Sequence, residues 1–378
     1  MIVVATTAEN GEESRVALSP ETVKKFKSLG CEVKIQTGAG ARSHFLDQAY
    51  ADAGAKIVPS AVDALMEADI VLKVQRPTAD EVGATKPGAV LAAMLDPYSG
   101  QEGISELASA KIDAFAMEFM PRITRAQSMD VLSSQSNLAG YKAVVDAAAQ
   151  FSRAFPMMMT AAGTVPAART FVMGAGVAGL QAIGTAKRLG AVVSATDVRP
   201  AAKEQVESLG GKFIAVMDEE FKQAETAGGY AKEMSDEYKR KQAELVAEHL
   251  KGQDIVITTA LIPGRPAPKL ISKAMVESMK SGSLIVDLAA ERGGNCELTK
   301  PGEIYTHNGV TIMGKLNLAG EVPGNASSLY ARNLFAFVAL LINKEEGALN
   351  INWDDEIVKG TALTRGGEVV HPSLTGGK

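Results

Sequence analysis

The sequence predicts an α/β protein made of two doubly wound domains, each built on a mostly parallel sheet. Three observations indicate this class. The chain has 378 residues, which is too long for one ordinary domain and long enough for two buried cores. Short apolar runs alternate with amphipathic stretches, as in consecutive strand–helix–strand units. A glycine-rich turn at residues 174–179 separates an apolar run from a helical pattern, as at the ligand edge of a doubly wound sheet.

The elements of the first domain follow in regular order. The N-terminal run IVVA predicts a strand, because it lacks the basic start and sustained apolar stretch of a signal peptide. Ser19 as N-cap and Pro20 at the first helical position predict a helix. Next come strand CEVKIQTG, helix LDQAYADAG, strand AKIV, helix SAVDALMEA, strands DIVLKVQRP and GAVLAAML, helix GISELASA and strand IDAFAMEF. We expect this first domain to be flavodoxin-like.

The remaining pattern predicts that the first domain is discontinuous. From about Ser133 to Arg153 the pattern is one long helix, a connector into the second domain. After about Leu316 the chain returns to a helical pattern, SSLYARNLFAFVALLINK, and then to the hairpin-like INWDDEIVKGTALTRGGEVV. This tail has no nucleotide motif, so we expect it to pack onto the first domain. The predicted bounds are 1–132 with 319–378 for the first domain, and 133–318 for the second.

Composition excludes several classes of function. A formal net charge of -5 argues against nucleic acid as a partner, since such binding depends on clustered Lys and Arg. The longest clean apolar run, Leu334 to Ile342, is far shorter than the roughly 20 residues of a membrane-spanning helix, so a cytoplasmic protein is expected. Cys31 and Cys296 have no CxxC or histidine companions, so neither a disulfide framework nor a zinc site is predicted.

The main functional signal lies in ARTFVMGAGVAGLQAIGTAKRLGAVVSATDVRP. Gly174, Gly176 and Gly179 have the GxGxxG spacing between a strand and a helix. Gly174 permits a tight turn, Gly176 lets a pyrophosphate approach the backbone, and Gly179 allows close packing. The helix N-terminus then faces the phosphates. Because Asp197 ends the next strand about twenty residues later, the pattern predicts a Rossmann dinucleotide-binding domain.

Asp197 also predicts the dinucleotide. Its carboxylate can accept hydrogen bonds from the adenosine ribose hydroxyls and would repel the 2'-phosphate of NADP, so NAD(H) is expected. A nearby arginine such as Arg199 can accommodate a 2'-phosphate, but it cannot remove the repulsion at Asp197 itself. Two later segments, DIVITTALIPGRPAP and GSLIVDLAAERGGN, predict strands that end in small or glycine-rich loops at the same edge.

A second polar stretch, PRITRAQSMDVLSSQSNLAGYKAV, lies between two apolar segments at residues 121–144. Its variety of donors and acceptors exceeds what a linker needs, so it predicts contact with a small polar ligand. Helix capping is the alternative for Arg122, Gln127 and Asp130, and Ser133 is itself a good N-cap residue. One cap, however, does not account for the whole cluster.

Nearly the whole sequence resembles the alanine dehydrogenase and nicotinamide nucleotide transhydrogenase superfamily. The shared segments are ESRVALSPE, starting at Glu13, and VLKVQRP, starting at Val71. In alanine dehydrogenases, residues matching Arg15 and Lys73 bind the substrate, while a histidine and an aspartate act as acid and base. Here those two regions read AAMLDPYSG, without histidine, and AAERGG, with Glu291. Since oxidation of an amino acid to an imine requires proton removal from nitrogen, this departure disfavours that activity.

Two segments resemble the transhydrogenase branch instead. The polar stretch is similar to the signature loop of its NAD(H)-binding component, and AETAGGYAKEM is similar to its mobile loop. The resemblance implies that Arg122 and Gln127 fix the nicotinamide carboxamide and phosphate side, while Asp130 and Ser133 hold the carboxamide and its ribose. The implied cofactor contacts are Arg122, Ile123, Thr124, Gln127, Ser128, Met129, Asp130, Ser133, Gly174, Gly176, Val177, Gly179, Asp197, Val198, Arg199, Gly229, Tyr230, Gln242 and Leu261. One departure is Ala319 to Glu321, where the branch more usually has Pro-Ser-Arg.

The resemblance implies a Re/Si-specific, proton-translocating transhydrogenase that passes hydride from NADH to NADP(H) on a partner component. It also implies a homodimer, a membrane-spanning partner, and peripheral association with the inner membrane. Direct transfer between two nicotinamide C4 atoms needs no general acid or base, so catalysis is chiefly positioning of atoms about 3 to 3.5 Å apart. Two alternatives stay open: an amino-acid dehydrogenase with unusual acid–base residues, and a non-enzymatic NAD-sensing module.

Overall fold

The computed structural model of the chain describes residues 1–224, 234–262 and 264–375. It consists of two compact units. The first is formed by Met1–Gln135 together with Ala319–Lys378, and the second by Ser136–Leu318. Each unit contains one large, mostly parallel sheet with helices, which confirms the predicted class of two doubly wound α/β domains.

The first unit is built on a six-stranded sheet in which all pairings are parallel. Its strands are β1 (Val3–Thr6), β2 (Glu32–Gln36), β3 (Lys56–Val58), β4 (Ile70–Leu72), β5 (Val90–Ala93) and β6 (Asp113–Ala116). Their order is β3-β2-β1-β4-β5-β6. This corrects the flavodoxin-like expectation, whose order is about 2-1-3-4-5. Apolar periodicity identifies strands, but it does not indicate on which side of β1 the chain continues.

Helices cover both faces of this sheet. They are α1 (Pro20–Ser28), α2 (Asp47–Asp52), α3 (Ala61–Leu65), α4 (Ala79–Ala84) and α5 (Gln101–Ser109). Ser19 caps α1 as predicted, because its side chain accepts from the backbone of Thr22. Alternate strand residues enter two different cores: Val4 and Leu72 belong to one cluster, whereas Ala5 and Val71 belong to the other. This alternation buries the sheet on both sides.

A long helix leads from the first unit into the second. A 3₁₀ helix at Thr124–Met129 precedes α6 (Val131–Gln150), which begins slightly earlier than predicted. An exposed antiparallel hairpin of β7 (Met158–Thr160) and β8 (Gly163–Val165) follows.

The second unit contains a seven-stranded sheet. Its strands are β9 (Arg169–Met173), β10 (Val192–Thr196), β11 (Lys212–Phe213), β12 (Ile255–Thr258), β13 (Leu284–Asp287), β14 (Ile304–His307) and β15 (Val310–Met313), and its helices are α7 (Val177–Arg188), α8 (Ala202–Ser208), α9 (Glu219–Lys222), α10 (Asp236–Leu250) and α11 (Lys273–Glu277). The strand order is β11-β10-β9-β12-β13-β15-β14. The order therefore reverses between β9 and β12, which is where doubly wound sheets bind ligands.

The C-terminal segment packs into the first unit. It contains α12 (Pro323–Ala339), β16 (Ile342–Asn343), β17 (Ala348–Leu349), α13 (Glu356–Thr361), β18 (Thr364–Arg365), β19 (Glu368–Val369) and α14 (Pro372–Thr375). Tyr330, Leu334 and Phe337 of α12 are fully buried in the core of this unit. The expected hairpin-like tail is instead two short hairpins separated by α13, whose N-cap is Asp355. A single capped turn and a half is too short to show a clear helical period.

Within the described ranges, none of the helices combines the length and apolar character needed to cross a membrane.

Candidate functional site

The glycine turn has the geometry that a phosphate-binding loop requires. Gly174 follows β9 with a φ of 104°, a conformation that disfavours side chains. A Cβ on Gly179 would lie 1.8 Å from the Gly174 carbonyl oxygen, so α7 can approach the turn only because residue 179 is glycine. Gly176 is the N-cap of α7, and a Cβ there would meet nothing within 4 Å. The N-terminus of α7 is thus open to an anion.

Asp197 lies directly after β10 and is tied to the glycine turn. Its Oδ2 accepts a hydrogen bond from the Ala175 amide at 2.7 Å. Its Oδ1 accepts from the Arg199 amide and from Arg199 Nε, both at 2.9 Å. Arg199 Nη2 also donates to Asp197 Oδ2 at 3.1 Å and to the Ala175 carbonyl at 3.2 Å. Asp197 therefore has a structural role that the sequence reasoning missed, and Arg199 partly neutralises its charge.

Exposed apolar side chains surround this turn at the carboxyl edge of the sheet. Val177 follows β9, Val198 follows β10, and Leu261 and Ile262 follow β12. Each is between 42% and 54% exposed, which is unusual for such residues in a group. Ligand sites combine apolar surface with a few oriented polar groups, and this edge has both. Ile262 was not predicted, because a single apolar residue in a loop gives no sequence signal.

Gln242 on α10 contacts two protein groups. Its Oε1 accepts from the Val216 amide at 2.9 Å, and its Nε2 donates to Thr196 Oγ1 at 3.1 Å. Gln242 thereby ties α10 to the end of β10, next to Asp197. The predicted mobile-loop residues Gly229 and Tyr230 lie outside the described residues.

The polar stretch of the first unit is anchored on one side. Ala126 and Met129 are buried in the core of the unit, so the Met129 side chain, expected at the cofactor, is a core side chain. Arg125 donates to both carboxylate oxygens of Asp355, at 2.7 and 2.8 Å. Asn333 of α12 donates to the Ser128 carbonyl at 2.8 Å. These contacts make a fixed base for the remaining residues of the stretch.

The other side of this stretch is exposed. The side chains of Arg122, Thr124, Gln127 and Ser128 are exposed, while Ile123 is half-buried against the core. The Gln127 side chain makes no hydrogen bond to any residue in the described part of the chain. Its amide is therefore available to an external polar group without breaking a contact within the fold.

Asp130 and Ser133 form the N-terminal cap of α6. The Ser133 amide donates to Asp130 Oδ1 at 2.9 Å, and Ser133 Oγ donates to Asp130 Oδ2 at 2.5 Å. Asp130 precedes the first helical residue, Val131, so Asp130 is the N-cap and Ser133 its partner. The capping alternative accounts for these two residues, whereas Arg122 and Gln127 lie outside the cap.

The residues that match the alanine dehydrogenase substrate cradle contact other groups of the first unit. Arg15 donates to Glu13 at 2.8 and 2.7 Å and to Gln135 at 2.9 Å. The fully buried Lys73 donates to Glu81 at 2.7 Å and to the Thr7 hydroxyl at 2.8 Å. Both cations are therefore compensated within the chain.

Glu9 is a second carboxyl group beside Lys73, at 3.6 Å. Burial raises the pKa of Glu9 to about 7, because the ionised carboxylate has lost its water and Lys73 is already paired with Glu81. In the described ranges, no cluster of three or more His, Cys, Asp or Glu side chains could hold a metal ion.

Comparisons with known proteins agree with this geometry. Two family models match, "Alanine dehydrogenase/PNT, N-terminal domain" at residues 5–139 and "Alanine dehydrogenase/PNT, C-terminal domain" at residues 143–372. The chain is 58% identical to an NAD(P) transhydrogenase subunit alpha chain of Rhodospirillum rubrum, covering 96% of each chain. It is 30% identical to an alanine dehydrogenase of Staphylococcus epidermidis, covering 88% of this chain and 85% of that one.

A solved structure is equally similar. The transhydrogenase from Sinorhizobium meliloti superimposes with a TM-score of 0.89 at 58% sequence identity, covering 97% of this chain and 100% of the other. Both halves of the chain are thus matched in sequence and in fold. The chain belongs to the alanine dehydrogenase/PNT family.

Proposed function

We propose that this chain is the NAD(H)-binding component of a proton-translocating NAD(P) transhydrogenase. The observation that carries the proposal is its 58% identity, over 96% of both chains, with a protein named as a subunit alpha chain of NAD(P) transhydrogenase. The open glycine turn of the second unit supports it, because the turn provides one site for one dinucleotide. The second nucleotide, NADP(H), is then held by a partner component.

In this proposal the pyrophosphate of NAD(H) lies at the N-terminus of α7, and Asp197 accepts hydrogen bonds from the adenosine ribose. The pairing of Asp197 with Arg199 keeps the carboxylate oriented, and its remaining lone pairs accept from the ribose hydroxyls. The exposed Val177, Val198 and Leu261 lose water to the nucleotide. Arg122 and Gln127 orient the nicotinamide carboxamide, since both side chains are exposed on an anchored base.

The reaction moves one hydride, a proton with its electron pair, from C4 of the dihydronicotinamide to C4 of the oxidised ring. No proton is left over at either ring, so the chain needs neither an acid nor a base. This accounts for the segment 92–100, AAMLDPYSG, in which alanine dehydrogenases have a catalytic histidine. The protein contributes binding and ring orientation, which lower the barrier by holding the reactants in a reactive geometry.

We further propose a homodimer that associates with an NADP(H)-binding component and with a membrane-spanning component, which couples hydride transfer to proton translocation. The chain would then lie at the inner membrane through its partners. The word subunit in the name of the R. rubrum relative supports this assembly.

Mixing the purified chain with an isolated NADP(H)-binding component tests the proposal. NADH and a thionicotinamide analogue of NADP+ should exchange hydride, followed by absorbance of the reduced analogue, and omission of either protein should stop the reaction. The chain alone should not reduce NAD+ with alanine. Robust alanine oxidation would instead identify an amino-acid dehydrogenase, and nucleotide binding without transfer would identify a sensing module.

A further inference from the structure

Asn295 is a buried polar residue that holds one loop at the ligand edge of the second unit. Its side chain is completely buried. Its Oδ1 accepts from the Ala260 amide at 3.0 Å, and its Nδ2 donates to the carbonyls of Ala260 and Pro268, both at 2.8 Å. Both amide hydrogens and one oxygen lone pair are used. The side chain therefore acts as a clamp on the loop that follows β12.

The position of Asn295 is itself fixed by the turn after β13. Gly293 and Gly294 have φ angles of 92° and 79°, and a Cβ on Gly294 would lie 2.6 Å from Asp287 Oδ2. That carboxylate oxygen accepts from the Cys296 amide at 3.0 Å and from Thr299 Oγ1 at 2.6 Å. Two successive glycines let the chain pass close to Asp287, and this path delivers Asn295 to Ala260.

The clamped loop is also joined to the glycine turn. Thr259 Oγ1 donates to the Gly174 carbonyl at 3.1 Å. The loop is thus held at Thr259 by the turn and at Ala260 by Asn295. Immediately after these two attachments, Leu261 and Ile262 are 53% and 45% exposed. Apolar side chains held this close to two fixed points present a rigid surface to a ligand.

The strand order decides which half of a dinucleotide meets this surface. Strand β10, which carries the ribose-binding Asp197 at its end, lies on one side of β9, and β12 lies on the other. A dinucleotide bound across the reversal point places its adenosine over the β10 side. The nicotinamide half then lies over the β12 side, where Leu261 and Ile262 stand.

We propose that Asn295 is a positioning residue for the nicotinamide half of NAD(H), acting through the loop that carries Leu261 and Ile262. The proposal rests on NAD(H) binding by the second unit, as inferred above. It predicts that Asn295 affects the two halves of the nucleotide unequally. A merely structural role would affect both halves alike.

The test compares NADH with 5'-AMP, which contains only the adenosine half. Asn295→Ala should weaken NADH binding about tenfold and change AMP binding by less than about twofold, as measured by calorimetry. Thr259→Val removes the second attachment of the same loop and should change NADH binding in the same direction. Ser283→Ala is the matched control, since it removes one buried hydrogen bond, to the Gln253 carbonyl at 3.2 Å, at the opposite edge of the sheet. It should leave both affinities unchanged.

Equal loss of NADH and AMP affinity in Asn295→Ala, or no loss of either, would overturn the proposal. Thermal unfolding of each variant identifies loss of the fold, and in that event Thr259→Val decides by the same comparison. If the unmodified chain binds NADH and shows the unequal effect but transfers no hydride to a partner, Asn295 keeps its role and the transhydrogenase assignment fails. If the unmodified chain binds neither nucleotide, both proposals fail.

Discussion

Replacing Glu9 with Gln should change how the stability of the first unit depends on pH. Lys73, Glu81 and Glu9 are buried together, so two carboxyl groups share one ammonium group. Lys73 pairs with Glu81 at 2.7 Å, and the remaining carboxyl, Glu9, is 3.6 Å away. Burial therefore raises the pKa of Glu9 from 4.5 to about 7.

The direction of the effect follows from which state holds the proton. The unfolded chain releases the Glu9 proton near pH 4.5, whereas the folded protein keeps it until about pH 7. The stabilisation from this group is thus complete below about pH 4.5 and is lost as the pH rises through 7. A shift from 4.5 to about 7, at roughly 1.4 kcal/mol per unit, corresponds to about 3 kcal/mol of unfolding free energy.

Urea unfolding at a series of pH values measures this quantity. The single tryptophan, Trp353, stacks on Phe115 in the first unit and provides the fluorescence signal. The difference in unfolding free energy between the unmodified protein and Glu9→Gln should fall by about 3 kcal/mol between pH 4.5 and 7.5, because only the unmodified protein loses the proton. Glu12→Gln, an exposed neighbour, is the control and should give a flat difference. A flat or rising difference for Glu9→Gln would refute the reasoning.

Three further predictions concern the candidate site. Gly179→Ala should abolish NADH binding in a fluorescence titration, because its Cβ would lie 1.8 Å from a carbonyl oxygen, while Gly184→Ala in the same helix should bind normally. Asp197→Ala should narrow the gap between NADH and NADPH affinity, and equal affinities in the unmodified protein would contradict the cofactor assignment. Gln127→Ala should lower the hydride-transfer rate at unchanged melting temperature. Asp130→Ala should in addition lose about 1 kcal/mol of stability with its helix cap, and an unchanged melting temperature would disprove that cap.

The sequence by itself determined the features that depend on residues close together in the chain. Gly174, Gly176 and Gly179 were found because the turn, the open helix N-terminus and the close helix packing all arise within six residues. The N-cap at Ser19 was found for the same reason, since a cap and its partner are three residues apart. Strand and helix alternation likewise predicted two doubly wound units, because side-chain periodicity is a local property.

Only the tertiary structure decided the features that depend on distant residues. The first sheet has the order β3-β2-β1-β4-β5-β6 because of where the chain crosses after β3, which no local pattern encodes. The polar stretch is divided into a buried side, with Met129, and an exposed side, with Gln127, by packing against α12 and the tail. Asn295 had no sequence signal at all, since its partner Ala260 is 35 residues away. Such contacts form only when separate strands bring their loops to one edge, so the residues that hold the site are decided by the assembled fold.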